Sequence, residues 1–322
     1  MLLVYVVVAA GAPSLLDAGW LRLGSEVLLM LAMAELWNLL AGYTGLVSFG
    51  HQAFIGIGAY LLFYVSDRLE IHPFLLIPVA GVACAIVAAV LAPLLFRLRD
   101  AYFAIGIWVF AEIAYEVVSN TEALGATNGV ALKSIRLVDV ETFARNTFWI
   151  SAAVALCAVG GVYALMRSRL GLGLMAVRDN ELAATSIGVD VWRNRFIAFV
   201  ISAFGCGLAG AVQFMSTMWI SPESGFDVNW VVAMMFIVII GGIGTVEGPI
   251  IGTVLYYVLR EGFSSWAGVS GSWYLVSMGA VAIVVILVAP RGIWGWVHQR
   301  WGWEGLPIRR VPPATAAAKA LA

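Results

Sequence analysis

Apolar residues run in blocks along this chain, each close to the length of a membrane-crossing helix and bounded by charges, prolines or glycines. A helix needs about 20 apolar residues to cross the hydrocarbon core of a bilayer. Blocks that meet or approach this length lie near 1–16, 25–43, 46–66, 73–96, 101–119, 147–166, 194–218, 229–242, 249–262 and 272–290. They predict an all-α integral membrane protein of about ten transmembrane helices, within a range of about eight to eleven because the first, eighth and ninth blocks are short. The opening MLLVYVVVAAGAP lacks the basic start of a secretion signal and reads as a first span that is kept.

Two blocks are broken. NLLAGYTGLVSFGHQAFIGIGAY at 38–60 carries Gly42, Gly45, Gly50, Gly56 and Gly58 together with His51, Gln52, Ser48 and Thr44. IVIIGGIGTVEGPIIGTV at 237–254 carries Gly241, Gly242, Gly244, Gly248, Pro249 and Gly252. Transporters place substrate sites where spans are interrupted, because freed backbone groups can line a cavity there. One break in each half of the chain is the pairing expected of an internal repeat around a central site, although the span count puts both on the same side. Glycines also let helices pack closely in a membrane, and both uses can hold at once.

Composition fits the pattern. Of 322 residues, 62% are hydrophobic and 11% charged, with mean hydropathy +0.96; a soluble chain this apolar would expose large sticky patches. The net charge of −1 and the lack of a basic run argue against nucleic acid as a partner. Cys84, Cys157 and Cys206 lie scattered in apolar runs, with neither metal-ligand nor disulfide spacing. With ten spans, twelve of the eighteen Lys and Arg fall on one side and six on the other, so the richer side, which holds both termini, is expected to be cytoplasmic. Residues 1–295 then form a polytopic membrane domain. The segment 296–322 reads as an interfacial and disordered cytoplasmic tail, tryptophan-rich at first and low in complexity at its end.

Polar groups at membrane depth are costly and usually meet a partner or a watery pathway. His51 and Gln52 begin a span, and Glu35, Glu112, Glu116 and Glu247 lie in or near apolar segments. Glu112 and Glu116 sit one turn apart on one helix face. Between spans, GLGLMAVRDNELAATSIGVDVWRNR at 171–195 is the longest cytoplasmic loop. Asp179 or Asn180 can cap a helix start, Glu181 suits its first turn, Gly188 can close it in a left-handed conformation, and Asp190 can cap the next span. The resulting helix of about two turns is too short to be stable alone and needs something to dock into.

These segments carry a resemblance. Ala183-Ala184-x-x-x-Gly188 resembles the EAA loop of ABC importer permeases, which fits a cleft in the ATPase subunit; the family's Glu position holds Leu182, with Glu181 just before it. The broken stretch 38–60, then AYFAIGIWVFAEI, GATNGV, RDNELAATSIGVDVWRNRFIAFVISAFGCGLAGA, SPES, GGIGTVEGPIIG and APRGIWG, follow one another as in branched-chain amino acid ABC permeases of the LivM type. In GATNGV, Ala126 stands where that family has a second glycine. The resemblance implies cytoplasmic ATPase subunits, a sister permease completing a heterodimeric pore, an external substrate-binding protein, and a coupling helix formed by Asp179, Asn180, Glu181, Ala183, Ala184 and Gly188. Independently, the chain cannot be the motor itself. Its lysines are Lys133 and Lys319, and Leu132 precedes Lys133-Ser134 where a phosphate-binding loop needs glycine.

The expected function is therefore a multi-pass permease subunit of the inner (plasma) membrane, not an enzyme. It would move branched-chain or related hydrophobic amino acids inward, binding no cofactor of its own while partner subunits use ATP. Asn38, Gly42, Tyr43, Thr44, Gly45, Ser48, His51, Gln52 and Glu112 are expected to line or shape the route, with Gly241, Gly242 and Gly244 as the second glycine break. Related permeases carry urea or short amides, and a proton-coupled carrier using Glu112, Glu116 or His51 is the rival from another class. A membrane enzyme would need a nucleophile–base pair or metal cluster, and three scattered histidines offer neither.

Overall fold

The computed structural model describes residues 17–99, 101–265, 273–289, 292–301 and 305–306. The expected first span at 1–16 and the tail beyond 306 lie outside them. The described chain is almost entirely helical: α1 (Ala18–Thr44), α2 (Gln52–Leu69), α3 (Pro73–Leu95), α4 (Ala101–Ser119), α5 (Val140–Met166), α6 (Arg169–Asp179), α7 (Glu181–Ser186), α8 (Val191–Thr217), α9 (Pro222–Gly225), α10 (Asn229–Gly241), α11 (Glu247–Ser265), α12 (Trp273–Val288) and α13 (Gly292–Trp301). Among the described residues, seven stretches are long and apolar enough to cross a bilayer: Ala18–Thr44, Pro73–Leu95, Ala101–Ser119, Thr142–Met166, Val191–Thr217, Pro222–Gly241 and Val276–Trp301. Helices also occupy the expected spans at 46–66 and 249–262, as α2 and α11, but these are more polar.

The helix ends sort onto two faces. One gathers the α1–α2 connection, the α6–α7 segment and the α10–α11 turn. On the other, two-residue strands β1 (Val130–Ala131) and β2 (Trp219–Ile220) pair antiparallel, Val130 opposite Ile220, and Asp67 accepts the Lys133 and Ser134 backbone N–H groups at 3.1 and 2.8 Å. On that second face Arg136 also pairs with Glu70.

The core is built around α8, which packs on α1, α2 and α3, while α1 packs along its other side on α5. Lipid supplies no hydrophobic drive between helices, so close approach by small residues does the work. A Cβ on Gly58 of α2 would lie 2.8 Å from the Gly207 Cα of α8, and one on Gly56 would strike the Phe226 ring at 2.7 Å. These glycines of the first broken stretch are packing glycines.

Candidate functional site

The two glycine breaks meet. Helix α1 ends where Gly45 turns left-handed (φ 76°) and donates its N–H to Leu40 O. About two turns earlier, the Asn38 side chain, fully buried, clamps the α10–α11 turn: its Nδ2 donates to Thr245 O at 2.9 Å and its Oδ1 accepts the Gly244 N–H at 2.9 Å. The turn itself is held by Thr245 Oγ1, which donates to Gly242 O at 2.7 Å and accepts the Gly248 N–H at 3.0 Å. Gly244 has φ 75°, and a Cβ on Gly42 would lie 2.6 Å from the Gly244 nitrogen, so backbone meets backbone with no room for a side chain. The start of α13 joins them, Gly292 packing against Gly241 and Gly242.

The α6–α7 segment reaches the same junction. Arg178, in the last turn of α6, donates from Nη1 to Gly42 O at 3.1 Å and from Nε and Nη2 to Asp179 Oδ1 at 3.0 and 2.9 Å. Asp179 thus closes α6 and lies outside the next helix; Asn180 is the cap of α7, its Oδ1 accepting the Ala183 N–H at 3.0 Å. Glu181 pairs with Arg195 of α8 at 2.9 Å, Gly188 is left-handed at φ 86°, and Asp190 caps α8 through the Arg193 N–H at 2.9 Å. Ala184 faces inward. Leu182 and Ile187 are 82% and 76% exposed, and nothing lies within 4 Å of where a Gly188 Cβ would be.

The polar residues of 44–52 face the interior. His51 bridges two hydroxyls, Nδ1 to Ser48 Oγ and Nε2 to Ser202 Oγ, each at 2.7 Å. Ser202 donates onward to Leu36 O at 2.7 Å, and Trp37 Nε1 donates to Ser48 O at 2.8 Å. The network pins α1, the 45–51 connection and α8 together. Thr44 bonds back to Leu40 O at 2.6 Å. Tyr43 and Gln52 are buried, and neither the Tyr43 hydroxyl nor the Gln52 amide has a partner among the described residues; the Glu35 carboxylate is 0% exposed and likewise unpartnered.

Glu112 lies elsewhere. The 45–51 connection alternates, turning Val47 and Phe49 outward as Ser48 and His51 turn in. Gly45, Val47 and Phe49 form, with Ala101, Ala104, Ile105 and Trp108 of α4, an open apolar concavity of about 530 Å³. The same exposed face of α4 continues through Glu112, whose Oε1 accepts from Trp108 Nε1 at 3.1 Å, to Glu116, which accepts from Asn120. This wall follows one helix for most of its length, carries two carboxylates, and is covered by no described part of the chain.

So the structure brings Asn38, Gly42, Gly45, Gly241, Gly242, Gly244 and Arg178 into one junction. It sets Ser48 and His51 in a second network behind it and leaves Gly45 and Glu112 on the open wall. Arg178 and Ser202 are the residues that sequence reasoning missed. Arg178 counted only as a cytoplasmic charge, and a lone serine in the apolar run FVISAF gives no signal of its own.

A family model described as branched-chain amino acid transport system, permease component, matches residues 20–286. The permease protein LivM of the high-affinity branched-chain amino acid transport system of Salmonella typhimurium is 24% identical, over 91% of this chain and 74% of its own. LivM of Escherichia coli K12 gives the same figures. A probable branched-chain amino acid transport permease, LivH of Methanocaldococcus jannaschii, is 24% identical over 84% of this chain and 89% of its own. No solved structure matches significantly.

Proposed function

Because this chain belongs to the family of branched-chain amino acid transport permease components, we propose that it moves branched-chain or related hydrophobic amino acids into the cytoplasm as one half of an ATP-driven pore. In this reading residues 1–295 form a ten-span permease unit in the plasma membrane, with both termini and the tail 296–322 on the cytoplasmic side. ATPase subunits supply the energy, a sister permease completes the pore, and an external binding protein delivers the substrate.

The observation that carries the reading is the junction. Arg178 ends the helix that precedes α7, and its guanidinium holds the carbonyl of Gly42 while Gly42 and Asn38 hold the Gly244 turn. A partner docked on the exposed Leu182 and Ile187 would push α7, α6 and Arg178 together, and the push would reach both glycine breaks at once. Glycine turns can change conformation where a continuous helix cannot. Glu35, Tyr43 and Gln52 lie buried near the junction without a partner among the described residues, polar groups that a rearranged or hydrated conformation of this region can engage.

The route runs along the open wall of α4. Carboxylates facing lipid would be costly, so Glu112 and Glu116 belong against a partner permease across a path, and Val47, Phe49, Ile105 and Trp108 offer that path apolar side chains. The buried Asn38, Ser48, His51 and Gln52 shape the wall from behind.

The test is uptake of labelled leucine and labelled urea, each with and without ATP, into vesicles holding the intact complex. ATP-dependent leucine uptake is expected. ATP-dependent urea uptake would keep the mechanism and replace the substrate, and uptake indifferent to ATP would return the proton-coupled carrier. In the same vesicles Gly188→Arg, whose side chain has open space but whose left-handed backbone costs about 1–2 kcal/mol, should still insert and lose ATP-dependent uptake; full uptake there would refute docking through α7.

A further inference from the structure

A groove of about 580 Å³ runs between α10 and α12, its upper end on the face opposite the glycine junction, with α1, α8 and α11 forming its floor and upper end. We propose that this groove is a binding site for one phospholipid with an ethanolamine-type headgroup, its phosphate and ammonium held at the upper end and one acyl chain lying between α10 and α12.

The upper end is polar. Arg260 of α11 and Glu26 of α1 form an ion pair at 2.6 Å that stays partly open, their side chains 39% and 30% exposed. Asp227, just before α10, accepts the Asn229 N–H and Nδ2 at 2.9 and 3.1 Å and keeps further lone pairs free. Trp230 donates to Ser224 O at 2.9 Å, placing an indole where amphipathic rings mark the membrane interface. Below this cluster the lining turns apolar. It descends α10 from Asn229 to Ile240, about 16 Å at the helical rise, and is matched on α12 by Gly279, Ala282 and Ile286. The small Gly279 and Ala282 leave space between the two helices.

Length and charge name the occupant. A slot about 16 Å deep that opens sideways to the bilayer, with Val232 and Ile286 each 45% exposed on its rims, is far longer than a single amino acid and suits an acyl chain. At the head, two carboxylates face one guanidinium, a net charge of −1. That disfavours an anionic headgroup. A primary ammonium can donate hydrogen bonds to Glu26 and Asp227, which a quaternary choline cannot, while Arg260 takes the phosphate.

Native mass spectrometry of the intact complex after mild delipidation tests this, with phosphatidylethanolamine, phosphatidylcholine and phosphatidylglycerol offered in turn. Phosphatidylethanolamine should be retained several-fold over the other two. Asp227→Asn should erase much of that preference. Gly279→Phe should lose all three lipids, and because nothing lies within 4 Å of a Gly279 Cβ the variant has room to fold. Equal retention of the three lipids in the wild type, or unchanged retention in Gly279→Phe, overturns the proposal. So does displacement of the lipid by free leucine, or a cysteine cross-link from position 279 to the chain's own first sixteen residues.

Discussion

Arg178→Ala separates holding the protein together from passing force through it. The guanidinium makes one bond into the junction, to Gly42 O at 3.1 Å, and two to its neighbour Asp179, whose side chain is 69% exposed while that of Arg178 is 35% exposed. The exposed pair contributes about 0–1 kcal/mol. The bond to Gly42 O, charge-assisted but partly solvated, adds about 1 kcal/mol. The whole loss is therefore about 1–2 kcal/mol, a fall in Tm of only about 2–8 °C for a chain of this size, and the variant should assemble. What it lacks is the bond between α6 and the two glycine breaks. In liposomes holding the complete transporter, ATP hydrolysis should be largely kept while amino acid moved per ATP falls about tenfold, the ratio a coupling free energy of about 1.4 kcal/mol supplies. Arg178→Lys should recover part of it, since an ammonium can reach a carbonyl without the fork that also holds Asp179. An unchanged ratio of transport to hydrolysis in Arg178→Ala would refute the junction as the transmitting element.

Other perturbations follow from particular contacts. Asn38→Leu leaves the Gly244 N–H and Thr245 C=O without partners, costing about 2–5 kcal/mol; a fall in Tm of about 10 °C is expected in a thermal-shift assay. Ala126 is left-handed at φ 47° without being glycine, so Ala126→Gly should stabilise by about 1 kcal/mol, read as a small rise in Tm. Gly58→Val drives a side chain into the Gly207 backbone and should abolish a monodisperse peak in size-exclusion chromatography of the tagged protein. Glu112→Leu alters an exposed position and should leave that peak intact while lowering uptake at equal expression; unchanged uptake would remove Glu112 from the route.

Local features were legible in the sequence, and long-range ones were not. The Asn180 cap, the left-handed Gly188 and the Asp190 cap each depend on a bond three or so residues away, and capping residues announce themselves at that range. Seven of the expected spans were legible because their apolar length is set by the bilayer, whereas 46–66 and 249–262 form helices too polar to qualify by length and composition. The pairing of Asn38 with Gly244 crosses 206 positions, and no spacing pattern announces it, although the two breaks could be seen separately. His51 and Ser48 lie in one quoted stretch, but Ser202, the other end of that bridge, lies 151 positions on. Sequence reasoning placed His51 and Asn38 at the route because polar residues at depth are usually functional. The structure puts them where a membrane fold also needs polar residues, satisfying backbone at a break between helices.

The exposure of Leu182 and Ile187 bears on biogenesis. A six-residue helix that, with the residue closing it, leaves two large aliphatic side chains uncovered is an adhesive patch whenever its counterpart is missing. If the proposed ATPase partner is that counterpart, a chain made in excess of it would be marked as unassembled by that patch and left open to chaperones and proteases. Cellular levels of this permease should therefore track synthesis of the motor more closely than synthesis of the permease itself.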